Sequence, residues 1–552
     1  MKRWQIALEQ RSDDIIKDLL KIRDIGEDLV ESFLNPPKLQ EYIRNFDRNF
    51  IESLRNAKKA ILEAADANVP IIIHGDYDAD GVCATALMHN VLKKELGYSS
   101  VYTFIPNRFE HGYGLSENSV AAVLGMLIKN GYSPDTKFVL ITVDSGITAF
   151  NETAQLKKAG HTVIITDHHQ KPQNLPEADV IVWNDQLVGA SIAWVLGLVL
   201  GSKNTSNLAL ASIATVTDLQ PLIGFNRRLV LDGLHVISAN CPLGIKKLLE
   251  VSGRDSKDID TYALGWVLGP RLNAGGRLND AAQALELLTT DDSLAAGEIA
   301  GMLADVNKER QDMTFEMYDL ASLNFDEASM PKIIVSDDER YHEGIIGLVA
   351  SKLVQKYHRP SIVISTDGDV AKGSVRSVKG INIIEILRNF EDLFLSLGGH
   401  PMAAGFSIKT ENISLLRQKL AEYTEEHILD SQLVPSLEID LELMPEEISL
   451  STNSLLQRLK PFGIGNPEPI FLTKNLVVVS INSFGREQAH ISLQLATDDI
   501  KIKAKMFNGV EHDIMKRLAL GDKIDIVFRM SENFYNGSTY LEVVIVDFRY
   551  SV

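Results

Sequence analysis

Three apolar runs in the first half of the chain end in groups that bind metal ions. VPIII is followed by His74-Gly75-Asp76-Tyr77-Asp78-Ala79-Asp80-Gly81, KFVLITV by Asp144-Ser145-Gly146, and HTVIIT by Asp167-His168-His169. Taken singly, an aspartate at a strand end is a common turn former or helix cap, and a His-His pair is more often structural than ligating. The coincidence of three such ends carries the weight. Bringing four or more carboxylates together is unfavourable unless cations compensate them. Oxygen donors mixed with imidazole suit manganese or magnesium, and the lack of thiolate disfavours structural zinc. Two such ions a few ångströms apart would clamp a phosphate for in-line attack by water. Asp218, in LALASIATVTDLQPL, sits in helical context and reads either as a further ligand or as an ordinary surface acid.

Elements that could position these groups follow from the pattern. The runs VPIIIHGD, VYTFIP, KFVLITVDSG, HTVIITDHH and ADVIVWND are short, nearly continuous in apolar residues and separated by helix-like segments. That alternation predicts a doubly wound α/β sheet of parallel strands, whose carboxyl ends meet at one crevice. A helix is predicted from about Phe50 to Ala67, with Phe50, Leu54, Ala57, Ile61 and Ala64 on one face. The first fifty residues read as helical and peripheral. Residues from about 226 to 323 read as a helical bridge, and a second α/β lobe runs from KIIVSDD to near Glu426. From about Pro435 the pattern changes to short alternating strands, with an Asn536-Gly537 turn, which suits an OB-like β-barrel. The expected division is therefore 1–49, 50–225, 226–329, 330–430 and 431–552.

Composition bounds the class. The 552 residues are 45% hydrophobic and 23% charged, too many for one core and ordinary for a soluble multidomain protein. No apolar run reaches bilayer-spanning length, and the charged N-terminus lacks a signal-peptide pattern. Two distant cysteines, Cys83 and Cys241, form no zinc or disulfide framework, so a reducing cytoplasm is expected. The net charge of −19 argues against binding nucleic acid by bulk electrostatics, although metal-binding carboxylates contribute to that count.

HGDYDADG, VDSGIT, TDHHQ and TVTDLQPL resemble, in order, the four motifs of the DHH phosphoesterases. IPNRFEHGYGL, LGPRLNAGGRLNDAAQALELL, HEGIIGLVASKL, GSVRS, GGHPMAAGF and PFGIGNPEPIF extend the likeness over nearly the whole chain. They point to the branch of bacterial single-strand-specific 5′ exonucleases that serve DNA repair and recombination. The resemblance implies Asp78, Asp80, Asp144, His168 and Asp218 as metal ligands, with Asp76 and His74 completing the site. His169 would touch the scissile phosphate or act as general acid, and Asp167 would orient a histidine. Arg108, Ser374 and Arg376 would hold a 5′ phosphate, Arg277 would face the DNA, Tyr113 would stack a base, and His400 would lie beside the substrate. In the barrel, Arg486, Lys501, Lys503 and Lys505, with Phe507 and Phe534, would track a single strand. A monomer is implied, with a helicase and a single-strand-binding protein as partners. One departure stands out: the family usually has Asn-Pro and a longer insertion where this chain has Trp183-Asn184-Asp185. The rival readings are a phosphodiesterase for short oligonucleotides or cyclic dinucleotides, and a silent replication scaffold.

Overall fold

The computed structural model describes residues 2–551 apart from 324, 326–328 and 536, with 534 and 535 described as backbone. Asn536 of the expected turn and the Phe534 side chain therefore lie outside the described residues. The chain forms two compact units, one of 45–220 and 229–435, the other of 1–44, 221–228 and 436–552.

In the larger unit, the five apolar runs form one parallel sheet. Its spatial order is Val101–Phe104, Ile71–His74, Val139–Val143, Thr162–Asp167, Val180–Trp183. Strand order thus reverses between the His74 strand and the Asp144 strand, and a doubly wound sheet opens its ligand crevice at such a switch point. The two acid-bearing loops leave the sheet there. The Ile71–His74 and Val139–Val143 strands are buried along their whole length, as both-face coverage by helices requires. The Arg48–Asp66 helix buries the five expected residues, starting at an Asp47 cap. The Ala79–His89 helix buries every residue from Ala79 to Met88, so it runs through the core and carries its first-turn acid, Asp80, inward.

The bridge is helical as expected, with Gly269–Leu278, Ala282–Thr289 and the 30-residue Ser293–Ser322 helix among its elements. The second lobe is a mixed sheet ordered Phe394–His400, Ala403–Lys409, Val370–Arg376, Ser361–Ser365, Ile334–Asp338, parallel only in its last pair. GGHPMAAGF makes the hairpin between its first two strands.

The smaller unit contains a closed five-stranded barrel of Phe471–Phe484, His490–Ala496, Lys501–Met506, Ser538–Tyr550 and Lys523–Tyr535, with the first and last strands paired to each other. The N-terminal segment departs from a purely helical, peripheral reading. Its first element is the strand Arg3–Ile6, parallel to Ser436–Ile439. Its helices place Ile15, Ile16, Leu19, Leu20 and Phe33 in the same apolar cluster as the barrel's Phe471, Leu493 and Phe528. No described helix is long and apolar enough to cross a membrane.

Candidate metal centre

Six of the seven expected ligands converge. Donor atoms of Asp76, Asp78 and Asp144 lie within 4.8 Å of one another, as do those of Asp80, His168 and Asp218, and those of Asp144, His168 and His169. His74 enters none of these groups. It is fully buried, and neither ring nitrogen has a well-formed hydrogen bond.

Local folding explains each placement. Asp78 caps the Ala79–His89 helix, its Oδ1 accepting from the Asp80 and Gly81 amides at 3.0 Å each. Asp80 is turned inward, where its carboxylate accepts from the amides of Gly189 and Ala190 at 2.7 Å, at the start of the Gly189–Leu200 helix. Unpaired amides at a helix start favour a carboxylate there. Asp144 adopts a left-handed backbone, φ 61°. His168 Nε2 lies 3.0 Å from Asp144 Oδ1, 3.6 Å from an Asp80 oxygen and 3.7 Å from an Asp218 oxygen.

Burial pushes the Asp76 carboxyl up to about 8, reinforced by Asp78, and does the same to Asp218, reinforced by Asp80 and Asp78. Asp80 and Asp144 are also driven upward by burial and by neighbouring carboxylates. Asp76 Oδ1 and Asp144 Oδ1 are buried without a well-formed hydrogen bond. Buried acids that repel one another and leave oxygens unsatisfied fit divalent cations, and the mixed oxygen and imidazole donors suit manganese or magnesium.

Beside this cluster, Asp167 Oδ1 accepts from the His168 and His169 amides and from His169 Nδ1, while Oδ2 accepts from the Ile147 amide. Burial would raise the Asp167 carboxyl, but these donors outweigh it and hold it low. Burial likewise opposes charge on His169, yet the Asp167 bond prevails and lifts the imidazole to about 9. The other ring nitrogen, Nε2, is 2.9 Å from the Tyr113 hydroxyl. Tyr113 is half exposed while its hydroxyl engages the histidine, and its ring meets those of Tyr77 and His169 in T-shaped contacts.

The basic residues lie on several elements. Arg108 stacks 4.4 Å over the Tyr77 ring. Arg277, in the Gly269–Leu278 helix, is held down to about 10 by burial and by the positive charges of Arg108 and Arg310, with Arg376 contributing. Arg376 donates to Ser374 Oγ at 3.2 Å, and both side chains border the start of the Ile346–Tyr357 helix at Gly347. His400 is exposed on the hairpin. On the barrel, Lys501 and Lys503 point outward, while Lys505 pairs with Glu542. Arg486 is exposed, and Phe507 makes edge contacts with Phe484 and His490.

Sequence reasoning missed the residues that act through backbone or space. Asn273 Oδ1 accepts from the Ala79 amide at 2.8 Å, tying the bridge to the acidic loop. A Cβ on Gly276 would lie 2.3 Å from the Tyr77 carbonyl, and one on Gly189 2.4 Å from Asp144 Cβ. Asn273 and Gly276 stand in a motif that the resemblance quotes, which was the available signal. Gly189 had none.

Family models match in chain order: the DHH family N-terminal domain over residues 70–217, the DHHA1 domain over 330–426 and the RecJ OB domain over 439–547. The chain is 33% identical over 569 residues to the single-stranded-DNA-specific exonuclease RecJ of Bacillus subtilis, covering 99% of this chain and 70% of that protein. It is 31% identical over 541 residues to the RecJ of Haemophilus influenzae, covering 90% of each. The structure of RecJ from Thermus thermophilus in complex with Mn2+ superposes with a TM-score of 0.79 at 28% identity, covering 99% of this chain and 79% of that one. The same protein in complex with Mg2+ gives 0.72 at 27% identity, covering 99% and 78%. The likeness runs through both lobes and the barrel, and the chain belongs to the RecJ family of single-stranded-DNA-specific exonucleases.

Proposed function

We propose that this chain is a metal-dependent 5′→3′ exonuclease that digests single-stranded DNA to nucleotides, in repair and recombination. The observation that carries the hydrolytic reading is the overlap of three ligand groups: Asp144 and His168 each belong to two of them. Asp76, Asp78, Asp80, Asp144, His168 and Asp218 would hold two divalent ions, manganese favoured by its affinity for imidazole and carboxylate together. His74, with its unsatisfied nitrogens, is kept as a further ligand candidate. When bound, the ions supply positive charge against the phosphate and lower the pKa of attacking water.

The chain's own residues do the rest. Asp167 fixes the ring of His169 through Nδ1, so that a protonated imidazole presents its Nε2–H toward the phosphate oxygens or the departing 3′ oxygen. Tyr113 holds that nitrogen until a substrate replaces its hydroxyl, and its half-exposed ring would then stack a base. Arg108, Ser374 and Arg376 would receive the terminal 5′ phosphate. The guanidinium fork at the start of an uncapped helix suits a doubly charged end group better than an internal diester. Arg277 and His400 would line the path, and Lys501, Lys503, Lys505, Arg486 and Phe507 of the barrel would hold the strand. The five-part division, monomeric state, cytoplasmic location and contacts with a helicase and a single-strand-binding protein belong to the same proposal. They rest on family resemblance and on the two free thiols.

A phosphodiesterase for dinucleotides needs no barrel, and a silent scaffold has no use for mutually repelling buried acids. End-labelled single- and double-stranded DNA, digested with manganese or magnesium, tests the reading by the end attacked and the product length. Arg376→Ala should lower the preference for 5′-phosphate over 5′-hydroxyl ends by about tenfold. An unchanged ratio would remove Arg376 from the end pocket.

A further inference from the structure

The segment Trp183-Asn184-Asp185 bonds to the backbone of two residues beside the metal centre, Asp167 and His169. Trp183 ends the edge strand of the parallel sheet in register with Asp167, and the Asn184 amide points to the Asp167 carbonyl at 3.4 Å. The Trp183 indole Nε1–H donates to the backbone carbonyl of His169 at 2.7 Å. Lys171 Nζ sits 3.7 Å from the centre of the same ring. His169 is therefore held by four hydrogen bonds. Asp167 takes ring Nδ1 and the backbone amide, Tyr113 takes ring Nε2, and Trp183 takes the backbone carbonyl. The two ring bonds set the rotation of the imidazole. The Trp183 bond restrains the carbonyl side of the residue from which the ring projects, and it does so where regular structure ends, since residues 170–179 form neither helix nor strand.

We propose that Trp183 is a positioning residue for His169. Its rigid indole, fixed by the strand and covered by Lys171, holds the histidine backbone so that the imidazole meets the substrate at one distance. The inference rests on the reading of His169 as the group that meets the scissile phosphate. Trp183→Phe is the sharp variant, because it keeps an aromatic ring at the position and deletes the N–H donor. No metal ligand is touched.

The test compares wild type, Trp183→Phe, His169→Ala and the double variant on 5′-phosphorylated single-stranded DNA at saturating manganese. Single-turnover runs with enzyme in excess reach the slow rates. Calorimetric manganese titration without DNA and thermal melting accompany each variant. Trp183→Phe should lower kcat about three- to tenfold, the effect of one lost hydrogen bond, and leave KM within about twofold. Manganese affinity and melting should match wild type. On the His169→Ala background the same change should cost nothing further, because the positioned ring is gone. An unchanged kcat in Trp183→Phe, an equal loss with and without His169, or a loss that follows manganese affinity or melting would each overturn the proposal. Full activity in His169→Ala would instead overturn the reading beneath it.

Discussion

Asp144 shows how one residue serves two opposed demands. Its left-handed backbone turns the carboxylate into the crevice, and burial beside Asp80, Asp78 and Asp76 makes its charge costly until cations arrive. Asparagine tolerates the same backbone region and carries no charge, so Asp144→Asn isolates the ligand function better than alanine. Hydrolysis should fall by at least about a hundredfold. Metal-free protein should melt about 1–3 °C higher as repulsion is relieved, and the stabilisation by manganese should shrink. Melting with and without manganese checks both signs, and a lower metal-free melting point would contradict the repulsion argument. Gly189 is the complementary case. A methyl there would press on Asp144 Cβ while the amide still has to reach Asp80, so Gly189→Ala should displace the ligand and lower activity about a hundredfold. Manganese titration should show weakened binding, and intact affinity would place the cost elsewhere. The acids and histidines were legible because their side chains declare metal chemistry. Gly189, Asn273 and Trp183 were not, since a clearance, an amide's partner and a carbonyl's partner have no signature in residue type.

At the scale of elements, apolar runs predict each strand of the parallel sheet and the barrel, because burial on both faces, or alternation on one, is written in the residues themselves. RWQI escapes that reading. Its alternation spans four residues, and the strand exists only by pairing with Ser436–Ile439. Trp4 of this strand donates to Asp547, which also binds His512 Nε2 at 2.8 Å. Burial would raise the Asp547 carboxyl, but the two donors outweigh it and hold it below its ordinary range. The Arg11 bond does the same for Glu447 in the same unit. A depressed carboxylate contributes stability above the unfolded pKa, about 4, and loses it as pH falls through the lower folded value. Asp547→Asn should therefore cost on the order of 1 kcal/mol at pH 7 and progressively less toward pH 3. Chemical denaturation at both pH values measures it, and an equal cost at the two would remove the ionised form from the account.

At the scale of the whole molecule, order along the chain misleads about what folds together. Sequence reading places residues 1–49 at the periphery, because helical periodicity identifies an apolar face without naming what covers it. That cover is the barrel unit, whose cluster takes up Leu19, Leu20 and Phe33. Removing only residues 436–552 should strand these side chains in water and give a dye-binding, aggregating product. Removing 1–44 as well should restore solubility, which centrifugation and hydrophobic-dye fluorescence report; equal solubility of the two truncations would refute this. Barrel function is therefore better probed by substitution, such as Lys503→Glu with Phe507→Ala, than by deletion. The Trp4–Asp547 bond joins residues 543 positions apart. During synthesis the nuclease lobes emerge and can close long before that partner exists, while the opening helices wait with their apolar faces uncovered. The growing polypeptide thus carries an adhesive segment until the barrel strands emerge, and chaperone demand should be set by that interval more than by the catalytic core.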